Sequence, residues 1–427
     1  MTLNKLTHNF FLLMLFSPLI SFMTFGQLGL YSSSYYFQLF ACLLGVVHII
    51  KKNIQIKLDL IYLLLLAYAL YIIIWSFNNG YYDKKGIVNV TNAKNLSVFF
   101  ILIIINSIHF KPDFIYKSIK IIKVTLILAF LASCIQVVLP SFLDSNPLWS
   151  NDEIGDTLIG DIYNDRRPSI FGFIDPNEVG LTFLPLVSIL IGYLFYSKNK
   201  YYIFFLLIGG VTAFFTNTRY IMVGFLLIVM QLIYVQKISI KNMIKYMFLT
   251  LIVFVFLYFV LAFAGYNLKD WYNNRLLSEG SLKETTRYVA WINFQRFFPD
   301  NPFLGVGVHM TREIKIASNE AGSSQIHVGY LAHLVSYGII GSIMLFGFWF
   351  LLARKLLLRA KKTNFYGGFF SFLVFLWANA TLVSYSIFYY GLIFALIFDK
   401  IFHDHYLISM ANKSSQNKSD DFNKIST

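Results

Sequence analysis

The chain has 427 residues, 57% of them hydrophobic and only 13% charged, with a formal net charge of +14. Soluble domains carry about 25% charged residues, so this composition excludes an ordinary soluble enzyme. The cations are spread over many short segments rather than gathered in one patch, so no nucleic-acid surface is expected. The two cysteines, Cys42 and Cys134, both fall within apolar runs, and neither a disulfide nor a metal site is expected.

The apolar runs are about 15 to 25 residues long, too long for membrane-barrel strands of about 9–11 residues, and they suit helices. In chain order they lie near Phe10–Phe25, Phe37–Ile50, Leu58–Trp75, Leu96–Ile108, Val124–Leu139 and Glu178–Tyr196. The remaining runs are Tyr201–Phe215, Tyr220–Val235, Met243–Ala264, His327–Ala353, Phe365–Asn379 and Leu382–Phe398. The fourth and seventh are short for a hydrocarbon core of about 30 Å. Lys5 precedes the first run as in a signal peptide, but no small-x-small site follows it, so the run is read as a helix. The expected fold class is therefore an all-α polytopic membrane protein with about twelve transmembrane helices.

Lysine and arginine concentrate in the loops that share a side with the N-terminus, from Lys51 and Lys52 through Lys198 and Lys200 to Arg354, Lys355 and Arg359, while Asp and Glu favour the other side. The positive-inside rule then predicts N-in, C-in topology and an even number of spans. Residues 1–409 form the membrane domain, and the polar stretch 410–427 is expected to be a disordered cytoplasmic tail.

Two long loops fall on the outer, periplasmic side, at about 140–177 and, between helices nine and ten, at about 265–326. Loops of that length carry function or disorder. The first closes on Arg166 and Arg167, a turn at Asp175-Pro176-Asn177, and Glu178 opening the next helix. Proline in a first helical turn is an ordinary start signal, so Asp175 reads equally well as a helix cap. In the second loop Arg287, Ala290, Trp291, Phe294 and Phe298 follow helical spacing. That pattern predicts a helix that either lies on the membrane face or packs on the bundle. An Asn-Pro-x-x-Gly-x-Gly turn follows at Asn301–Gly307, and the loop ends at His327. Arg219 sits in a very short turn on the same outer side; it reads as a snorkelling anchor or as a functional cation, and the scarcity of cations on this side favours the second.

Topology also sorts the histidines. His8, His48, His109, His403 and His405 lie towards the cytoplasmic side, and His333 lies within the tenth span. His309 and His327 remain on the outer side, and His327, at a helix start beside the bilayer surface, is preferred. Arginines and one histidine at a membrane surface suit transfer from a lipid-linked anionic donor. The planar guanidinium binds phosphate oxygens bidentately and stays charged. A cluster of them can stabilise a departing diphosphate without a metal ion. A sugar hydroxyl is a weak nucleophile, and a neutral imidazole is a suitable general base for it.

Arg219 at a helix start, Arg287 in the large loop, Asn-Pro-x-x-Gly-x-Gly at Asn301–Gly307, and His327-x-x-Tyr330-Leu331 followed by Gly338 and Gly341 together resemble the O-antigen ligase/polymerase superfamily. That superfamily includes the Wzy polymerases and the WaaL ligases. The segment Asp175-Pro176-Asn177-Glu178 after Arg167 is similar to it as well. Val328 departs from the pattern, because members often carry a small polar residue directly after the histidine. The resemblance implies a GT-C-like, metal-independent glycosyltransferase bundle in a bacterial inner membrane, with no cofactor. It implies His327 as the base, Arg219 and Arg287 as diphosphate ligands, and Arg166 and Arg167 as further phosphate or glycan contacts. Asn177, Glu178 and Tyr330 complete the expected substrate-binding set. The implied partners are an undecaprenyl-pyrophosphate-linked oligosaccharide, membrane lipid and a chain-length regulator protein. A repeat-unit polymerase is the first expectation, favoured by the high Phe, Ile, Lys and Asn content, and a ligase acting on lipid A-core is the alternative. A transporter ranks behind both, because the spans hold few ionisable residues and no internal repeat is evident.

Overall fold

Runs of Leu, Ile and Phe close their backbone hydrogen bonds within a single helix, as a bilayer demands of any segment that crosses it. The computed structural model describes residues 2–23, 30–52, 59–78, 90–138, 176–216, 218–236, 286–305, 328–381 and 390–425. Every regular element among them is a helix. They are α1 (Leu3–Met23), α2 (Leu30–Lys52), α3 (Leu60–Asn78), α4 (Val90–Ser107), α5 (Pro112–Val138) and α6 (Pro176–Tyr196). Then follow α7 (Tyr202–Phe215), α8 (Arg219–Gln236), α9 (Thr286–Phe297), α10 (Gly329–Thr363), α11 (Gly367–Thr381) and α12 (Tyr390–Ile425). The first eight predicted spans fall on α1 to α8 and the last three on α10 to α12; the ninth, Met243–Ala264, lies outside the described residues. Asp113–Ile135 and Gly329–Thr363 are long and apolar enough to cross a membrane by themselves. The helical backbone of α12 runs on to Ile425, through the polar stretch read from sequence as a tail, and extending an existing helix needs no new nucleus.

α6 is the axle of one half of the bundle. Every residue from Thr182 to Gly192 is buried, as expected for a helix enclosed on all sides. It packs on α11, α8, α12, α7 and α5. α6 and α11 approach so closely that a Cβ on Gly192 would lie 2.5 Å from Gly367 Cα. Small residues permit this approach where lipid supplies no hydrophobic drive between helices. A polar link crosses the same layer: Ser188 Oγ donates to Gln231 Oε1 on α8 at 3.0 Å. In the other half α2 packs on α4, and α3 packs on α4 and α10; α10 joins the halves through α11 and α12.

α10 corrects the sequence reading of the tenth span, which placed one continuous helix over His327–Ala353. The helix extends to Thr363 and is broken at Gly338, whose φ of 63° and ψ of −168° lie in a region open essentially to glycine. In an unbroken helix the amides of Ile339 and Ile340 would donate to the carbonyls of Val335 and Ser336. Here Ile339 N–H donates to Pro302 O at 2.8 Å and Ile340 N–H to Phe303 O at 3.1 Å. The Asn301–Gly305 turn is thus inserted into the break. It is closed on itself by Gly305 N–H to Asn301 O at 2.8 Å, with Gly305 at φ 77°. From Gly338 to Ala353 the helix rises about 24 Å at 1.5 Å per residue.

The other end of the bundle is tied by charge. Asp59 caps α3 by accepting from the amides of Ile61 and Tyr62, and its second oxygen lies 3.4 Å from Lys355 Nζ. Arg359 meets Asp399 at 2.8 Å, and Lys400 and His109 both meet Asp404. Asp399, the first residue past the predicted last span, is only 5% exposed. Burial pushes its carboxyl up to about 6, against the opposing pull of Arg359.

Two outcomes are expected. Gly338→Ala places a Cβ 2.3 Å from Phe303 O at a left-handed backbone position, so it should lower stability by roughly 2 kcal/mol or more, read as a fall in Tm in detergent. The raised Asp399 carboxyl stabilises the fold fully below the ordinary carboxylate pKa of about 3.9. That contribution is lost as pH rises through about 6. Asp399→Asn, which cannot ionise, should therefore show a flatter Tm between these pH values than the unsubstituted protein.

Candidate functional site

The helices that carry the candidate residues begin at the same end of the bundle, opposite the charged end. A Cβ on Gly180 of α6 would lie 2.5 Å from the Tyr220 hydroxyl and 2.7 Å from Ile221 Cγ1, which sets the first turns of α6 and α8 side by side. Trp377, near the end of α11, donates its indole N–H to Tyr220 O at 2.8 Å. Its neighbour Leu376 accepts from the Tyr330 hydroxyl of α10 at 2.6 Å. A chain of direct contacts therefore runs from the start of α6 through α8 and α11 to the start of α10. The turn before α8 is held from within: Thr216 and Thr218 are buried, and the Thr218 hydroxyl donates to Thr216 O at 2.9 Å.

α9 joins this end by packing on the first half of α10, where Ala290, Ala332 and Val335 form a buried cluster with Phe294, Phe297, Phe298, Val328 and Leu331 against it. The predicted loop helix is present, and of its two readings packing on the bundle is the one seen. Its buried stripe is rotated from the expected one. Ala290 and Asn293 are buried, whereas Trp291 is 46% exposed and stacks on Phe294 at 5.6 Å. Ala290 is the α9 residue buried against Ala332 and Val335, and Trp291, one position on, turns to the outside.

Among the predicted site residues, Arg219 opens α8, Arg287 lies in the first turn of α9, and Asn177 and Glu178 lie in the first turn of α6. The structure thus gathers the helix starts of Asn177, Glu178 and Arg219, and it packs the helix of Arg287 against α10. His327, Arg166 and Arg167 lie outside the described residues. His327 immediately precedes Val328, the extended residue (φ −129°, ψ 104°) that opens α10 and accepts from Ala332 N–H at 2.9 Å. Val328, the departure noted in sequence, has a packing partner in the Ala332–Val335 cluster.

Tyr330 was expected to contact substrate. Its hydroxyl proton goes to Leu376 O, and its ring sits edge-on to Phe346 and Trp349, so its visible contacts tie α10 to α11. His333, read as lying within the span, is buried among the rings of Tyr68, Tyr337 and Phe346. Sequence reasoning missed Trp377 and Tyr71, whose partners lie on distant helices. It registered Gly338 only as a family glycine, although a glycine inside an apolar helical pattern is itself a signal of close backbone approach. Among the described residues no group of three or more His, Cys, Asp or Glu side chains is placed to hold a metal ion.

Helix starts present unsatisfied amides and the positive end of the helix dipole. Several gathered at one end, with arginines in two of their first turns, make a place suited to concentrated negative charge. Residues 202–346, which run from α7 through the break in α10, match the family model described as O-Antigen ligase. No curated protein matches the chain.

Trp377→Phe removes the donor to Tyr220 O and leaves that carbonyl without the indole. The expected cost is about 1 kcal/mol, measured by thermal unfolding, as one of the links between α8 and α11 is lost.

Proposed function

We propose, from the match of residues 202–346 to the family model described as O-Antigen ligase, that the chain is a membrane-embedded glycosyltransferase of the O-antigen ligase/polymerase superfamily that polymerises a surface polysaccharide. Its donor is a growing glycan on undecaprenyl pyrophosphate, and its acceptor is the next lipid-linked repeat unit. The reading includes about twelve spans in a GT-C-like bundle, N-in and C-in, with the site on the periplasmic side of a bacterial inner membrane. The observation that carries it is the gathering of the α6, α8 and α10 starts at one end, away from the charged end.

In the proposed reaction His327 takes the proton from the acceptor hydroxyl as that oxygen attacks the anomeric carbon of the donor. The new glycosidic bond forms while the bond to the pyrophosphate oxygen breaks, and attack from the opposite face inverts the anomeric centre. Arg219 and Arg287 offset the charge that develops on the departing diphosphate. Arg166, Arg167, Asn177 and Glu178 contact phosphate or glycan. The bilayer holds both lipid-linked substrates at one depth and so supplies much of the orientation that the reaction needs.

Ligation of the finished chain to lipid A-core is the second reading, and the family match is equally consistent with it. Its chemistry is the same and only the acceptor differs; the Phe, Ile, Lys and Asn content favours the polymerase. A gel of surface glycan from a strain lacking the gene separates the two. A core carrying one repeat unit is the polymerase outcome. A bare core, with long polymer retained on the lipid carrier, is the ligase outcome, and an unchanged ladder sinks both. In the complemented strain His327→Ala should abolish chain growth at an unchanged membrane level. Arg287→Lys should also fail, because a point charge does not replace a bidentate fork.

A further inference from the structure

The Tyr71 side chain rises from α3, well outside the matched segment 202–346. Its hydroxyl lies 2.8 Å from Leu304 O and 3.1 Å from Tyr337 O. The first carbonyl belongs to the inserted turn, and the second to the last residue before the break in α10. One hydroxyl thus bridges the two backbone segments that meet at Gly305 and Gly338, where a Cβ on Gly305 would lie 2.5 Å from Gly338 N. The phenol thus donates to the last carbonyl before the break as well as to the turn that fills it. The ring is held independently of the hydroxyl: it stacks on Trp75 with 6° between planes, and it fits against Gly341, where a Cβ would lie 2.8 Å from Tyr71 Cε1.

We infer that Tyr71 is a positioning residue for glycosyl transfer, holding the Asn301–Gly305 turn in the α10 break so that the helices bearing Arg287 and flanking His327 keep one relative placement. The inference rests on the transferase reading above. The turn follows directly on α9, whose first turn carries Arg287, and the first half of α10 begins just after His327. Both segments move if the turn leaves the break. A misplacement of about 1 Å can cost on the order of 100-fold in rate, so partial loosening should register in turnover before it registers in binding.

The test compares Tyr71→Phe with the unsubstituted full-length protein in nanodiscs. Turnover is followed with lipid-linked repeat units, and amide hydrogen exchange over the peptide containing Ile339 and Ile340 is read in the same samples. The expected result is a fall in kcat of about 10-fold, KM within about twofold, and faster exchange at those amides. Faster exchange with unchanged kcat makes the hydroxyl merely structural and overturns the inference, as does unchanged exchange. A raised KM at constant kcat makes Tyr71 a substrate contact and overturns it as well. If the unsubstituted protein forms no polymer from these units, the polymerase reading fails and takes with it the positioning role in polymerisation. The exchange rates then still decide whether the hydroxyl holds the turn.

Discussion

The arrangement at the site end depends on one backbone meeting, the approach of Gly305 to Gly338. A helix interrupted inside an apolar layer exposes amides that cost several kcal/mol each if left without acceptors. Pro302 and Phe303 supply those acceptors, so the break and the turn exist only together. Neither glycine position tolerates a Cβ, because the neighbouring backbone occupies its place on both sides. The Asn301–Gly305 turn is thus built into α10, and α9, which precedes it, is seated by Ala290 against Ala332 and Val335.

A second constraint is the division of charge and polarity between the two ends. At one end Asp59, Lys355, Arg359, Asp399, Lys400 and Asp404 neutralise one another across α3, α10 and α12. At the other end, described contacts include hydroxyls and an indole donating to carbonyls, with glycines where helices touch. The helices between the ends are held by close packing, as at Gly192 and Gly367, and by sparse polar links such as Ser188 to Gln231. A rigid middle of this kind transmits the placement of one helix start to the next, from Gly180 through Tyr220 and Trp377 to Leu376 and Tyr330.

Much of this was legible in the residue order, because hydrophobic length and period are local properties. The helices α1 to α8 and α10 to α12, the loop helix α9, and the burial of His333 all follow from runs and spacings that no distant contact alters. The rotation of α9 was not legible: Trp291 and Ala290 both satisfy helical spacing, and only the facing Ala332 decides which of them fits inside. Tyr330 enters the expected substrate-binding set through the family resemblance, as part of His327-x-x-Tyr330-Leu331. Its hydroxyl partner is a backbone carbonyl on α11, and every residue has one, so no side-chain identity announces it.

By itself, then, the sequence determined an all-helical membrane-embedded chain, the positions of its helix starts, and the chemistry of the residues set there, since these depend on composition, period and side-chain type. Tertiary structure alone decided that α10 is broken, that the Asn301–Gly305 turn fills the break, and that Tyr71 spans the two. Those features rest on backbone groups brought together from segments far apart in the chain. Backbone amides and carbonyls are the same in every residue, so no pattern of side chains encodes which of them will meet.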